Sequence, residues 1–186
     1  MEAACDSILD LDLKIDVDYD VEDVLKVLAE VKSEWRTGDI TLQSLGGGFV
    51  NRLLLCRDPS DTENPGVMVR IFGESFSLLH DRQKEKECTA LLSRLGLGPK
   101  LLCSFKTGLC YDFLNGRTFE WDCDDHKAKY LVDLIIDEML RWHDPRVQQA
   151  AINSGLDTWI NKPVMYMYKL LQDWPKDFPD LDQDLS

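Results

Sequence analysis

The amino-acid sequence predicts an α+β fold in which an antiparallel five-stranded sheet receives one helix before its fourth strand and is followed by further helices. Between residues 40 and 114, apolar runs of strand length recur, separated by turns that contain glycine or proline. The segment 78–95 interrupts these runs with apolar residues at helical spacing. Helical spacing returns in 126–143 and 163–174. A chain of 186 residues is long enough for one domain, or for one domain and part of another.

Each element has a local signal. Alternation of apolar residues with aspartates predicts a strand within 8–19, and Asp20 is placed to cap a helix over 21–35. A polar loop, 58–66, separates the second and third strands of the sheet, and a turn at 107–108 separates the last two. The predicted strands of the sheet are 40–45, 49–57, 67–72, 100–105 and 109–114.

The composition excludes some classes of partner. The chain carries a net charge of −13, from 21 basic and 34 acidic residues, which disfavours nucleic acid and anionic membranes because phosphate binding needs clustered lysine and arginine. The six cysteines include no C-x-x-C pair, so a zinc site or redox motif has no support. No signal peptide opens the sequence, and no apolar run approaches the roughly 20 residues of a membrane span. We therefore expect a cytoplasmic protein whose cysteines are reduced.

Three consecutive glycines, Gly46, Gly47 and Gly48, join the first two strands of the predicted sheet. Glycine lets a backbone adopt positive φ and approach a ligand closely, which suits a turn that cradles phosphate. Gly46 and Gly48 match the first two positions of G-x-G-x-x-G, whereas Asn51 stands at the third, and the G-x-x-x-x-G-K-[ST] loop is absent. The turn is interpreted as a nucleotide phosphate cradle, and an ordinary hairpin is the alternative.

Arg70 lies in the middle of the third predicted strand, among apolar residues. A cation in such a strand must meet an anion or extend to solvent. Beside a phosphate-binding turn, Arg70 is placed to contact the α- and β-phosphates, steadied by a carboxylate on the following helix. Glu85 and Glu87 are the candidates for that carboxylate. The alternative is a surface arginine on an edge strand.

Asp112, Phe113 and Leu114 follow the last strand of the sheet, where a connection to a second lobe is expected. Backbone groups of this segment would recognise adenine. The alternative is an ordinary strand end and turn.

The pair His143-Asp144 is not interpreted as catalytic, because the chain lacks the His-x-Asp-x-x-x-x-Asn pattern of a phosphotransfer loop. His143 is instead expected to end the preceding helix, where an imidazolium favours the carboxyl-terminal dipole. No catalytic residue and no metal ligand is assigned from the sequence.

These segments, in this order, resemble the choline/ethanolamine kinase family, which is built on a protein-kinase-like fold. The resemblance covers roughly residues 8–145, the amino-terminal half of the family, and is closer to ethanolamine kinases than to choline kinases. It depends on four segments: Gly48-Phe49-Val50-Asn51-Arg52-Leu53, Val69-Arg70-Ile71-Phe72-Gly73, Leu97-Gly98-Pro99-Lys100-Leu101 and Gly108-Leu109-Cys110-Tyr111-Asp112-Phe113.

The resemblance implies a kinase-like amino-terminal lobe over 37–115. A strand and helix extension in 1–36 would precede it, and the first helices of an incomplete carboxy-terminal lobe, with an acidic tail, would follow in 116–186. The implied reaction is phosphorylation of ethanolamine by ATP, with Mg²⁺, to give phosphoethanolamine for phosphatidylethanolamine synthesis. The cofactor-binding residues would then be Gly46, Gly47, Gly48, Asn51, Arg70, Glu85, Asp112, Phe113 and Leu114.

Two departures from the family pattern matter. Val50 stands where family members often carry Ser or Thr, so a hydroxyl contact to phosphate is expected to be lost. The family's catalytic loop and its later metal-binding aspartate do not occur in the 186 residues, so the chain alone is expected to be nearly inactive. The alternative hypothesis is a non-catalytic isoform that dimerises or pairs with a full-length kinase as an interaction or regulatory module, because the 126–143 helix carries apolar residues on more than one side.

Overall fold

The computed structural model describes residues 8–36, 38–45, 51–73, 81–116 and 125–156, with the side chains of 125–129 excepted. The chain divides into two units, Met1–Asp133 and Leu134–Ser186. The sheet belongs to the first unit. The division at residues 36 and 115 that the sequence suggests stays a prediction.

The described residues form six strands and four helices. The strands are β1 (Leu9–Leu11), β2 (Thr41–Leu45), β3 (Asn51–Arg57), β4 (Val67–Phe72), β5 (Leu101–Phe105) and β6 (Gly108–Asp112), and the helices are α1 (Val21–Val31), α2 (Arg82–Arg94), α3 (Asp125–Trp142) and α4 (Pro145–Asn153). Helix α4 is absent from the sequence-based assignment, although Asp144 caps it and Pro145 opens it. The helix predicted at 163–174 lies outside the described residues.

The strands form one sheet in the order β1-β5-β6-β4-β3-β2. Strands β2 to β6 pair antiparallel, as predicted. The sheet gains a sixth strand, because β1 pairs parallel with β5 and places Leu9 opposite Cys103. The strand predicted within 8–19 is therefore shorter than expected, but it belongs to the sheet.

Beyond β1, the chain stays fixed to the β5–β6 turn. The Thr107 hydroxyl accepts from the Ile15 N–H at 2.8 Å and donates to the Ile15 carbonyl at 2.7 Å. The Lys106 N–H donates to the Leu13 carbonyl at 2.9 Å. These bonds explain why Ile15 is fully buried and why inward and outward side chains keep alternating after the last sheet pair.

One face of the sheet packs against α1. Asp20 caps this helix through the Glu22 N–H, and Val24, Val27 and Leu28 lie fully buried on its inner side. The sheet residues that complete this main core are Leu54, Cys56, Val67, Val69, Ile71, Cys103, Phe105 and Cys110. The three cysteines are free thiols, as expected, and burial raises the pKa of Cys56 to about 12.

The opposite face of the sheet carries a smaller cluster, formed by Phe72, Leu101 and Leu109 with Ala90 of α2 packed against it. A register shift in β5 brings Leu101 to this face. The shift lies between Leu101, which pairs with Tyr111, and Cys103, which pairs with Cys110. The second face is thus the one on which α2 and the polar residues of the candidate site lie.

The β3–β4 loop is fixed to the segment that follows α1 by two aspartates. Asp58 is 5% exposed, and its carboxylate accepts from the Ser60 N–H at 2.8 Å and the Ser60 hydroxyl at 2.6 Å. It also accepts from the Arg36 N–H at 3.4 Å, while Asp61 accepts from the Trp35 indole at 2.9 Å. The hydrogen bonds from Ser60 hold the pKa of Asp58 below its ordinary value.

This arrangement predicts a pH-dependent stability. Because the pKa of Asp58 is lowered by folding, its ionised form stabilises the fold above the unfolded pKa of about 3.9, and this contribution is lost as the pH falls through the folded pKa. Asp58→Asn is expected to lower the urea midpoint at neutral pH, and its difference from the parent should shrink below about pH 4. Asp39→Asn, at an exposed aspartate, is the control. A difference that stays constant between neutral and acidic pH would contradict the assignment.

Helix α3 exposes many large apolar side chains. Those at least 42% exposed on α3 are Tyr130, Val132, Leu134, Ile135, Ile136, Met139, Leu140 and Trp142. None of the helices in the described ranges combines the length and apolar character needed to cross a lipid bilayer. The apolar residues that the sequence predicts on more than one side of this helix include these exposed side chains.

The His143-Asp144 pair joins α3 to α4, in agreement with the interpretation that it closes a helix. The His143 N–H donates to the Met139 carbonyl at 3.0 Å, one residue past the end of α3. Asp144 accepts from the Arg146 N–H at 2.8 Å and from its guanidinium, contacts that lower the pKa of Asp144 to about 2. Both residues thus serve helix ends.

Candidate functional site

The candidate site is centred on an ion pair between the sheet and α2. Arg70, on β4, contacts Glu85 with 2.6 Å between Nη2 and Oε1. Both side chains are partly withdrawn from solvent, at 27% and 18% exposure. Of the two candidate carboxylates, Glu85 is therefore the partner of Arg70, whereas Glu87 accepts from Gln83 on the helix surface. Arg70 is not a surface arginine on an edge strand, since β4 lies between β6 and β3.

Local sequence explains why Glu85 points at the sheet. Asp81 caps α2 through the Lys84 N–H, which fixes the start of the helix at Arg82 and places Glu85 in its first turn. Arg82 and Glu85 are three residues apart and therefore share one side of the helix. Their contact measures 2.8 Å between Nη1 and Oε2, so each oxygen of Glu85 accepts from a different guanidinium.

Phe72 lies beneath both guanidinium groups. The Arg82 guanidinium is 4.5 Å from the centroid of the Phe72 ring, and that of Arg70 is 5.6 Å from it. Arg82 also donates to the Gly73 carbonyl at 3.3 Å. Arg82 thus contacts the end of β4 through the Phe72 ring and the residue after the strand through the Gly73 carbonyl.

Tyr111 on β6 borders the ion pair. It pairs with Met68 of β4 and packs against the Phe72 cluster, on the face that carries Arg70. Burial raises the pKa of the Tyr111 hydroxyl, and the positive charge of Arg70 partly opposes that rise. The site thus has a partly buried tyrosine within electrostatic reach of the arginine.

The strands that flank the glycine turn lie next to Arg70. Leu53 of β3 is directly opposite Arg70, and Leu45, the last described residue of β2, is directly opposite Leu53. Asn51 begins β3 opposite Phe72. The three residues of the turn itself, 46–48, lie outside the described residues.

The predicted hinge lies at the other end of the same strands. Asp112 ends β6 opposite Val67, and its N–H donates to the Lys100 carbonyl at 2.9 Å. The Phe113 N–H donates to the Gly66 carbonyl at 2.9 Å, and the Phe113 ring lies 5.5 Å from the Arg57 guanidinium. Leu114 is 67% exposed. Because the Phe113 N–H is already bonded, adenine recognition at this hinge would need other backbone groups, such as those of Leu114.

Two open cavities of about 530 and 500 Å³ lie beside the β3–β4 loop. Asp112 and Phe113 line the first of them, together with Lys32 at the end of α1. Successive side chains of a strand point to opposite faces, so Asp112 points away from the face that carries Arg70 and Tyr111. Neither cavity includes Arg70, and neither is the candidate site.

Residues 42–185 match the family model described as choline/ethanolamine kinase. The chain belongs to the choline/ethanolamine kinase family. Among relatives, ethanolamine kinase 1 of Homo sapiens is 34% identical over 163 residues, which cover 87% of this chain and 34% of the relative. Ethanolamine kinase 2 of Homo sapiens is 30% identical over 132 residues, which cover 70% of this chain and 33% of the relative.

The solved structure of a Plasmodium vivax ethanolamine kinase is 17% identical and has a TM-score of 0.50, covering 70% of this chain and 37% of that one. This similarity confirms the α+β, kinase-like fold. This choline/ethanolamine kinase family member spans about a third of the length of these relatives.

Two residues of this choline/ethanolamine kinase family member join the site without a sequence-based prediction, Arg82 and Tyr111. The signal for Arg82 was its position one residue after a helix cap and three before Glu85. The signal for Tyr111 was its place on β6 between two residues of the main core face, Cys110 and Asp112. To use these signals one must know which side of α2 and which face of β6 lie toward Arg70.

Proposed function

We propose that this chain provides the ATP-binding part of an ethanolamine kinase, which transfers the γ-phosphate of ATP to the hydroxyl of ethanolamine and so makes phosphoethanolamine for phosphatidylethanolamine synthesis. The observation that carries this proposal is the Arg70–Glu85 ion pair, because a strand cation held by a helix carboxylate is the arrangement with which kinases hold nucleotide phosphates. Membership of the family and the similarity to two ethanolamine kinases support the choice of reaction.

The geometry supports a nucleotide lying along β4. From Val67, opposite the hinge residue Asp112, to Phe72, opposite Asn51, the strand spans about 17 Å at roughly 3.4 Å per residue. Adenine would lie at the hinge end and the phosphates near Arg70 and the glycine turn. Arg70 keeps its charge at any relevant pH and offers a planar fork of donors, both of which suit phosphate oxygens.

Magnesium, which this family's reaction implies, has no dedicated protein cage among the described residues. Within the ranges that the structure covers, no group of three or more His, Cys, Asp or Glu side chains could hold a metal ion. Magnesium bound to ATP would neutralise phosphate charge during transfer.

The proposal predicts that the 186-residue chain binds ATP but does not turn it over with ethanolamine. Calorimetric titration with ATP measures the first property, and steady-state phosphoethanolamine formation with ATP and Mg²⁺ measures the second. A chimera in which this chain replaces the matching third of human ethanolamine kinase 1 should regain ethanolamine phosphorylation. Absence of ATP binding would overturn the proposed function, and turnover near that of a full-length relative would overturn the inactivity of the chain.

A second candidate function is a non-catalytic module that pairs with a full-length kinase of this family. The exposed apolar side chains of α3 favour it, because large exposed apolar patches usually mark an interface. The same turnover assay distinguishes the two candidates. A module should change the activity of full-length ethanolamine kinase 1 when added to it and elute with it, whereas an isolated ATP-binding part should do neither.

A further inference from the structure

Arg82 makes contacts that a simple arginine–glutamate clamp does not need. We propose that Arg82 is a positioning residue, which holds Glu85 so that Glu85 in turn orients the Arg70 guanidinium toward the nucleotide phosphates. This inference rests on the proposed function and deepens it by adding a residue on which phosphate affinity depends.

The first argument is the occupancy of the Glu85 carboxylate. Oε1 contacts Arg70 at 2.6 Å and Oε2 contacts Arg82 at 2.8 Å. A carboxylate held at one oxygen only can rotate about its last bond and offer either oxygen in several directions. With both oxygens held, the acceptor that Arg70 meets has a fixed position.

The second argument is that Arg82 is itself anchored to the strand that carries Arg70. Its guanidinium lies 4.5 Å from the Phe72 ring centroid and donates to the Gly73 carbonyl at 3.3 Å. It is 19% exposed, so much of it is shielded from water. Arg82 therefore links the first turn of α2 to the end of β4, only two residues beyond Arg70.

The third argument is charge. Arg70 and Glu85 alone form a neutral pair, which attracts a polyanion weakly. Arg82 adds a second guanidinium, so the three side chains together carry a net positive charge while both oxygens of Glu85 stay in contact with a guanidinium. The arrangement thus keeps Arg70 oriented without cancelling the attraction for phosphate.

The test compares Arg82→Gln with Arg94→Gln, which removes the same charge from an exposed position on the same helix. We expect Arg82→Gln to weaken ATP binding about fivefold in calorimetric titrations, and Arg94→Gln to leave it within about twofold. In a Glu85→Gln background, the effect of Arg82→Gln should fall to about twofold, the part that its charge alone contributes, because the residue through which it positions Arg70 has lost its charge. An undiminished effect in that background would overturn the positioning role.

A second measurement does not depend on nucleotide binding. Solvent exchange of the Arg70 side-chain protons, followed by NMR on the chain without ligand, should be about threefold faster in Arg82→Gln than in the parent and unchanged in Arg94→Gln. Unchanged exchange in Arg82→Gln would overturn the inference. If the parent chain binds no ATP, the proposed function fails, and this measurement still decides whether Arg82 positions Arg70 through Glu85.

Discussion

Replacing Gly108 by alanine is expected to destabilise the sheet strongly. A Cβ at this position would overlap the Arg70 carbonyl oxygen and the edge of the Phe105 ring, whose Cε2 would be 2.6 Å away. The carbonyl belongs to a paired strand, and Phe105 is fully buried, so neither can move without disturbing β4 or the main core. We expect a loss of about 3 kcal/mol or more in the free energy of unfolding, measured by urea denaturation.

Gly98→Ala provides the matched control. A Cβ at Gly98 would have only the Leu92 Cβ near it, at an ordinary 3.9 Å. The free energy of unfolding of this variant should lie within about 0.5 kcal/mol of that of the parent. Equal urea midpoints for the Gly108 and Gly98 variants would contradict the packing of the β5–β6 turn against β4.

Removing the Arg70 side chain is expected to give the largest loss of nucleotide affinity. A hydrogen bond to a charged group contributes about 1.5–3 kcal/mol, so Arg70→Ala should weaken ATP binding by roughly 10- to 150-fold in calorimetric titrations. Arg70→Lys should fall between parent and alanine, because lysine keeps the charge but lacks the planar fork that meets Glu85 and phosphate together.

Arg52→Ala controls for loss of charge. Arg52 is exposed on β3 and precedes Leu53, the residue opposite Arg70, so its side chain points to the other face of the sheet. Its removal should change ATP affinity by less than about twofold, since an exposed charge on the far face is screened by salt. Equal losses from the two variants would show that total charge, rather than the Arg70 contact, governs binding.

The strands of the sheet could be predicted from sequence because their signals are local. The third predicted strand has its observed bounds, 67–72, because it is an apolar run, interrupted only by Arg70, that begins after Gly66 and ends before Gly73. Helix α4 was missed for the opposite reason. With only nine residues it is too short to repeat an apolar pattern over several turns, and its cap and first-turn proline are the sequence signals for it.

The site needed information that spacing alone does not hold. Glu85 and Glu87 both lie on α2, but they are two residues apart and point about 200° apart around the helix axis, so the phase of the helix decides which one meets Arg70. That phase follows from the cap at Asp81. The parallel pairing of β1 was likewise beyond local reasoning, because three other strands, β2, β3 and β4, lie between β1 and its partner β5 along the chain.

The order of synthesis on the ribosome gives this topology a kinetic consequence. The N–H and the carbonyl of Ile15 both bond to the hydroxyl of Thr107, 92 positions later, and Leu9 pairs with Cys103. The nascent amino terminus must therefore wait undocked until the fifth and sixth strands have emerged, since closing so long a loop early gains no contacts. Until β1 pairs, one edge of β5 has no partner strand, and chaperone binding to the growing chain should be strongest in that interval.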